Sequence, residues 1–129
     1  MKLGYVIYYV SSVEETILFY EKAFSMKRKF VHESGEYGEL DTGETTLSFA
    51  SFTMADSNGI GFKKRDPSFQ SSDMEIGLVS ENVAESHHSA VASGAVEVKK
   101  PEVKPWGQTV SYVRDLNGFL IELCSPIRQ

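Results

Sequence analysis

The sequence predicts an α+β fold: two βαβββ modules whose mixed sheets form a cupped, partly open barrel with the helices outside. Three observations predict it. A β-branched and aromatic run followed by a capped helix occurs twice, at residues 3–24 and 74–93. The copies hold a fixed offset, since Tyr5 and Glu75, Ser12 and Asn82, and Val13 and Val83 each stand 70 apart. That period is too long for a solenoid and suits a duplicated module. Each module also has one sheet face for its helix and one left uncovered, and two modules can cover each other around a shared space.

The elements follow in order. Residues 3–10, LGYVIYYV, read as a strand. Ser12 with Glu15 three residues on matches a capping box, and Val13, Ile17, Tyr20 and Phe24 keep helical spacing, so a helix is expected over 12–24. Strands are expected at 27–34, 36–41 and 45–52, parted by turns around Gly35 and Gly43. Residues 53–72 carry Gly59, Gly61, Pro67 and several serines, and read as a linker or flap. The second module opens with a strand at 74–80. Asn82 then caps a helix that stops at Ser93-Gly94. Strands follow near 95–99, 108–114 and 118–124, the last two joined by the tight turn Asp115-Leu116-Asn117-Gly118. The chain is thus expected to be one domain over 1–129, with module one at 1–52 and module two at 73–129.

Composition narrows the function. The 129 residues are 41% hydrophobic and 24% charged, which is globular and neither disordered nor fibrous. No apolar run approaches the roughly 18 residues of a membrane span, so no membrane association is expected. A net charge of −5 argues against nucleic acid as a partner. Lys63-Lys64-Arg65 and Lys99-Lys100 read as solvated surface. The single cysteine, Cys124, allows no internal disulfide and no cysteine metal cluster. With an opening that lacks a charged-then-apolar leader, this suggests the cytoplasm.

Three segments carry a resemblance. YVIYYVSSVEETILFYEKAF, TTLSFAS and VSYVRDLNGFLIELCSP look like the first strand and helix, the strand closing the first module, and the closing hairpin of the vicinal oxygen chelate superfamily. That group comprises glyoxalases, bleomycin- and fosfomycin-resistance proteins and extradiol dioxygenases. The resemblance implies the cupped fold, but one scaffold here hosts many chemistries. It also implies four metal-ligand positions, which fall on Tyr5, Ser48, Glu75 and Glu122. Tyr and Ser hydroxyls are poor ligands for divalent ions, so the first module supplies no good donor. Glu75 and Glu122 could hold a loose hard cation such as magnesium, and no tightly held cofactor is expected.

If those four positions face one cavity, strand alternation turns Ile7, Tyr9 and Leu120 inward with them, and Val6, Tyr8, Val10, Ile121 and Leu123 under the helices. Two glutamates in a partly dry space should raise at least one pKa. Trp106, on the loop Lys104–Gly107, and Phe62 and Phe69 in the linker are candidate lids over a flat ligand. His87 and His88 diverge by about 100° on a helix and are expected at the surface. His32 is expected to be structural and Cys124 a packing thiol. Two functions remain open. One is a binder of a small aromatic or cationic molecule through Tyr5, Ile7, Tyr9, Ser48, Glu75, Trp106 and Leu120. The other is a metal-assisted lyase, isomerase or dioxygenase with Glu122 as the catalytic group beside Glu75. The resemblance further implies a homodimer.

Overall fold

The computed structural model describes residues 1–64, 66–68 and 73–127. The chain divides into two compact units, Met1–Lys64 and Arg65–Gln129.

The first unit runs β1 (Tyr5–Val10), α1 (Val13–Phe24), β2 (Lys27–Val31), β3 (Tyr37–Asp41), β4 (Thr46–Ser51) and α2 (Phe52–Ser57). Its sheet has the order β1-β4-β3-β2, with β1 and β4 parallel and the other pairs antiparallel. Helix α1 starts as its sequence dictates. The Ser12 hydroxyl accepts the Glu15 N–H at 3.2 Å, satisfying one of the free donors of the first turn. The helix ends at Ser25, whose φ of 54° is the single positive value among described non-glycine residues. Its inner face buries Val13, Ile17, Tyr20 and Ala23 on Tyr8, Val10, Leu40 and Phe49. The Tyr20 ring lies 5.1 Å from Phe49 and 5.2 Å from Phe24, and such side chains each contribute about 1.5–3 kcal/mol when buried. Close approach depends on Gly38. A β-carbon there would sit 2.7 Å from Ile17 Cδ1 and 3.0 Å from Val13 Cγ1.

The second unit repeats the plan: β5 (Ile76–Val79), α3 (Val83–Ala92), β6 (Val96–Val103), β7 (Thr109–Arg114) and β8 (Leu120–Cys124), in the order β5-β8-β7-β6. Here β5 and β8 are the parallel pair. The Asn82 side chain caps α3: its Oδ1 accepts the Glu85 N–H at 3.1 Å and its Nδ2 donates to the Glu85 carboxylate at 3.2 Å. In the last hairpin the buried Asp115 carboxylate accepts the N–H groups of Asn117 and Phe119, each at 2.9 Å. Gly118 takes a φ of 86°, which side chains disfavour.

The two-module α+β architecture agrees with the sequence reading, and three details differ. The expected linker opens with α2, capped by Ser51, which accepts the Met54 N–H at 3.0 Å. β6 runs on to Val103 through Pro101. A sheet-edge strand tolerates proline, and the pairing register shifts between Lys99 and Glu102 to accommodate it. His87 is buried instead of exposed. It falls on the inner stripe Val83, His87, Ala90 of α3, spaced four and three residues apart. Its Nδ1 lies 2.9 Å from the buried Ser111 hydroxyl and its Nε2 2.8 Å from Glu97. Those hydrogen bonds let an imidazole occupy an interior position. His88 is exposed, as expected.

Candidate functional site

In each unit the helix covers one sheet face, and the opposite face carries the polar chemistry. Register identifies the members. In the first unit Ile7 lies opposite Ser48, which lies opposite Glu39. Tyr9 lies opposite Ala50, which lies opposite Tyr37. Directly paired residues point to one face. The sequence-derived candidates Tyr5, Ile7, Tyr9 and Ser48 therefore share the helix-free face. Tyr5 and Ile7 are 57% and 46% exposed, so they are open to solvent and not walled in. Tyr9 is half-buried, with the Phe62 ring 4.9 Å away. Phe62 also stacks on Phe52 at 5.9 Å, and the Lys64 ammonium sits 4.8 Å above the Phe52 ring. The lid candidate Phe69 lies outside the described residues.

Two residues that sequence reasoning missed complete this face. The Tyr37 hydroxyl donates to Glu39 at 2.8 Å, and Glu39 is 7% exposed. Lys29 places its ammonium 3.6 Å from the same carboxylate. Burial raises the Tyr37 pKa, the neighbouring Ser48 hydroxyl opposes the rise, and the Glu39 and Tyr5 side chains add to it. Ser48 is fully buried. With the Tyr37 hydroxyl directed at Glu39, its Oγ approaches that phenol without a well-directed hydrogen bond and has no partner. The alternating pattern Tyr37-Gly38-Glu39 was the available signal.

In the second unit, Gly77, Glu122, Tyr112 and Lys99 form one row across the sheet. The Tyr112 hydroxyl donates to Glu122 Oε1 at 3.0 Å. A β-carbon on Gly77 would lie 3.4 Å from Glu122 Oε2, so the bare backbone leaves the carboxylate room across β5. Glu75, just ahead of β5, is exposed as a residue, yet its carboxyl is partly shielded. That burial, with the negative charge of Glu122, raises its pKa. Burial and the bond to Glu122 push Tyr112 up to about 12. Cys124 is buried, its Sγ 3.8 Å from the Leu78 carbonyl. Burial, then the charge of Glu122, raises the thiol pKa, which suits packing and not nucleophilic attack. Leu120 lies opposite Arg114 on this helix-free face. Trp106 stands on the turn between β6 and β7, 65% exposed, its Nε1 donating to Gln108 at 2.9 Å.

Of the four positions the resemblance points to, two carry weak donors for a divalent metal. Tyr5 and Ser48 offer neutral hydroxyls, and one oxygen of Glu122 already accepts from Tyr112. Among the described residues no group of three or more His, Cys, Asp or Glu could hold a metal ion. Nor is any described helix long and apolar enough to cross a membrane.

Comparison with known proteins bears on the scaffold. No curated protein matches the chain by sequence. Among solved structures, a glyoxalase-related enzyme from Fulvimarina pelagi superposes with a TM-score of 0.82 at 17% identity, covering 97% of this chain and 88% of that one. A glyoxalase/bleomycin resistance protein/dioxygenase family enzyme from Burkholderia phytofirmans PsJN gives 0.79 at 16%, covering 97% and 98%. A member of the same superfamily from Sphaerobacter thermophilus DSM 20745 gives 0.73 at 16%, covering 98% of both chains. At such identities the likeness shows a shared fold. The model of the glyoxalase-like domain matches residues 3–128, nearly the whole sequence. With its duplicated βαβββ plan, the chain belongs to the glyoxalase-like domain family.

Proposed function

We propose that this chain binds a small molecule with a positive charge and a flat, aromatic part, without a tightly held catalytic metal. The observation that carries this reading is the Glu75–Glu122 pair. Burial and then the charge of Glu122 raise the Glu75 pKa, and neither carboxylate has a cationic partner among the described residues. A bound cation would relieve that repulsion. On the helix-free face of the same unit Tyr112 suits the flat part through stacking and cation–π contact, and Tyr5 and Tyr9 offer the like on the face of the first unit. Trp106 and Leu120 are the further proposed contacts in the second unit, and Ile7 and Ser48 those in the first.

The test is a thermal-shift screen of basic aromatic compounds on protein shown by elemental analysis to be metal-free. Binders should raise Tm by mass action, and Glu122→Gln should abolish the shift. A stoichiometric metal that is lost in Glu122→Gln would overturn the binder and support the metal-assisted enzyme.

One observation favours that second reading. The raised carboxyl of Glu75 can keep a proton to higher pH than an ordinary glutamate, as acid–base work beside Glu122 in a lyase or isomerase requires. We also infer a cytoplasmic homodimer. The lone buried thiol supports a reducing compartment, and the exposed apolar side chains Ile7, Val79 and Val103 support a partner surface. Light scattering should give twice the 14.4 kDa chain mass.

A further inference from the structure

The first unit contains a carboxylate that none of the sequence-derived site positions includes. Glu39 sits on the helix-free face with its side chain 10% exposed. Its fixed partner is Tyr37, at 2.8 Å. Its counter-charge is loose. Lys29 Nζ stands 3.6 Å off, beyond hydrogen-bond range, on a side chain that is 58% exposed. An ion pair of that kind is weak in water, because the ammonium is well hydrated and its long stem is free to move.

Directly across the ladder from Glu39 lies Ser48, fully buried, whose hydroxyl makes no well-directed hydrogen bond because the neighbouring Tyr37 hydroxyl is turned to Glu39. Buried polar groups are almost always satisfied, so an orphan of this kind marks a missing partner. Cross-strand neighbours have β-carbons about 4.5–5.5 Å apart. A planar cation with two N–H groups can therefore bridge a carboxylate on one strand and a hydroxyl oxygen on the next. The rings of Phe30 and Tyr37 lie 6.1 Å apart beside the pair and offer an apolar flank.

We propose that Glu39 and Ser48 form a recognition point for an amidinium, guanidinium or primary ammonium group of a small ligand, and that Lys29 occupies it in the free protein as an internal stand-in. Glu39 takes the charge, Tyr37 holds its second oxygen in place, and Ser48 accepts the remaining N–H. Lys29 swings to solvent when the ligand enters. This inference rests on the reading of the chain as a binder of cationic small molecules and adds a second recognition point, on the first module.

The experiment is a titration of the full chain with benzamidinium, and with neutral benzamide as control, followed through backbone amide NMR shifts. Benzamidinium, and not benzamide, should move the amides of Glu39 and Ser48. Glu39→Gln should weaken binding at those amides about tenfold, the scale of a lost charge-assisted hydrogen bond. Lys29→Met should tighten it severalfold by removing the competitor. A structural carboxylate would not produce that gain, and Lys29 is exposed enough for its replacement to fold. Shifts confined to residues around Glu122 would overturn this site and leave the general reading standing. An unchanged or weaker affinity in Lys29→Met would also overturn it. If benzamidinium moves amides in neither module, both readings fall.

Discussion

The two modules place the same chemistry on opposite strands. In the first, the central strand β4 carries a hydroxyl, Ser48, and its antiparallel neighbour β3 carries the carboxylate, Glu39. In the second, the central strand β8 carries the carboxylate, Glu122, and β7 carries the hydroxyl, Tyr112. A similar exchange occurs beneath the helices. Ile17 packs over Gly38 in module one, whereas His87 hydrogen-bonds Ser111 at the matching place in module two. Arg28 reaches from β2 to Glu14 and Glu21 of α1, while Glu97 reaches from β6 to His87 of α3. The duplicated backbone has kept its register while the sign and polarity of facing groups reversed. The lesson is that pairing geometry constrains which positions meet and leaves open which partner carries the charge.

Three substitutions break or sharpen this comparison. The largest effect is expected from His87→Ala, which empties an interior position and strands the Ser111 hydroxyl. Urea denaturation should show a loss of about 3 kcal/mol. Writing the first module's pair into the second, as His87→Ile with Ser111→Gly, should recover more than half of that loss. A double variant as unstable as the single one would mean the two interfaces are not equivalent. Next comes Gly38→Ala, whose new methyl meets Ile17, Val13 and the Phe30 carbonyl. Overpacking of this kind costs about 2 kcal/mol, and a loss below about 0.5 kcal/mol would show that α1 is not held by this contact. The smallest is Glu75→Gln, at the position where module one has Tyr5. The folded chain holds the Glu75 pKa above its ordinary 4.5, so folding favours the protonated form. That contribution is present at low pH and is lost as pH rises through the raised value. At neutral pH the charged side chain therefore costs stability, and glutamine should gain up to about 0.5 kcal/mol, as exposed sites allow. Denaturation at pH 7 and below pH 4.5 should show the gain only at the higher pH.

The fold was legible wherever short-range signals agree. Ser12 and Asn82 cap helices, and the Asp115–Gly118 turn closes a hairpin, because each places a side-chain acceptor within reach of free N–H groups. Helix α2 was not legible. It is six residues long, and Ser51 serves both as the last residue of a strand and as the cap of a helix. The interior place of His87 was not legible, because an imidazole carries no apolar signal and its hydrogen bonds to Ser111 and Glu97 supply what apolarity would have. Of the candidate faces, Tyr5, Ile7, Tyr9 and Ser48 followed from alternation anchored on the resemblance. Glu39 and Tyr112 did not, since strands β3 and β7 had no such anchor and their facing partners become known only from register.

The parallel pairing in each module has a consequence for how the protein assembles. Tyr5 meets Thr46 across 41 intervening steps of chain, and Ile76 meets Ile121 across 45. The antiparallel hairpins close far shorter loops, so contact order makes β1 and β5 the slow additions to their sheets. β1 is also the strand that brings Tyr5, Ile7 and Tyr9 beside Ser48. A half-assembled module therefore lacks Tyr5, Ile7 and Tyr9 on that face, and the proposed ligand surface is complete only with the last strand, late in folding.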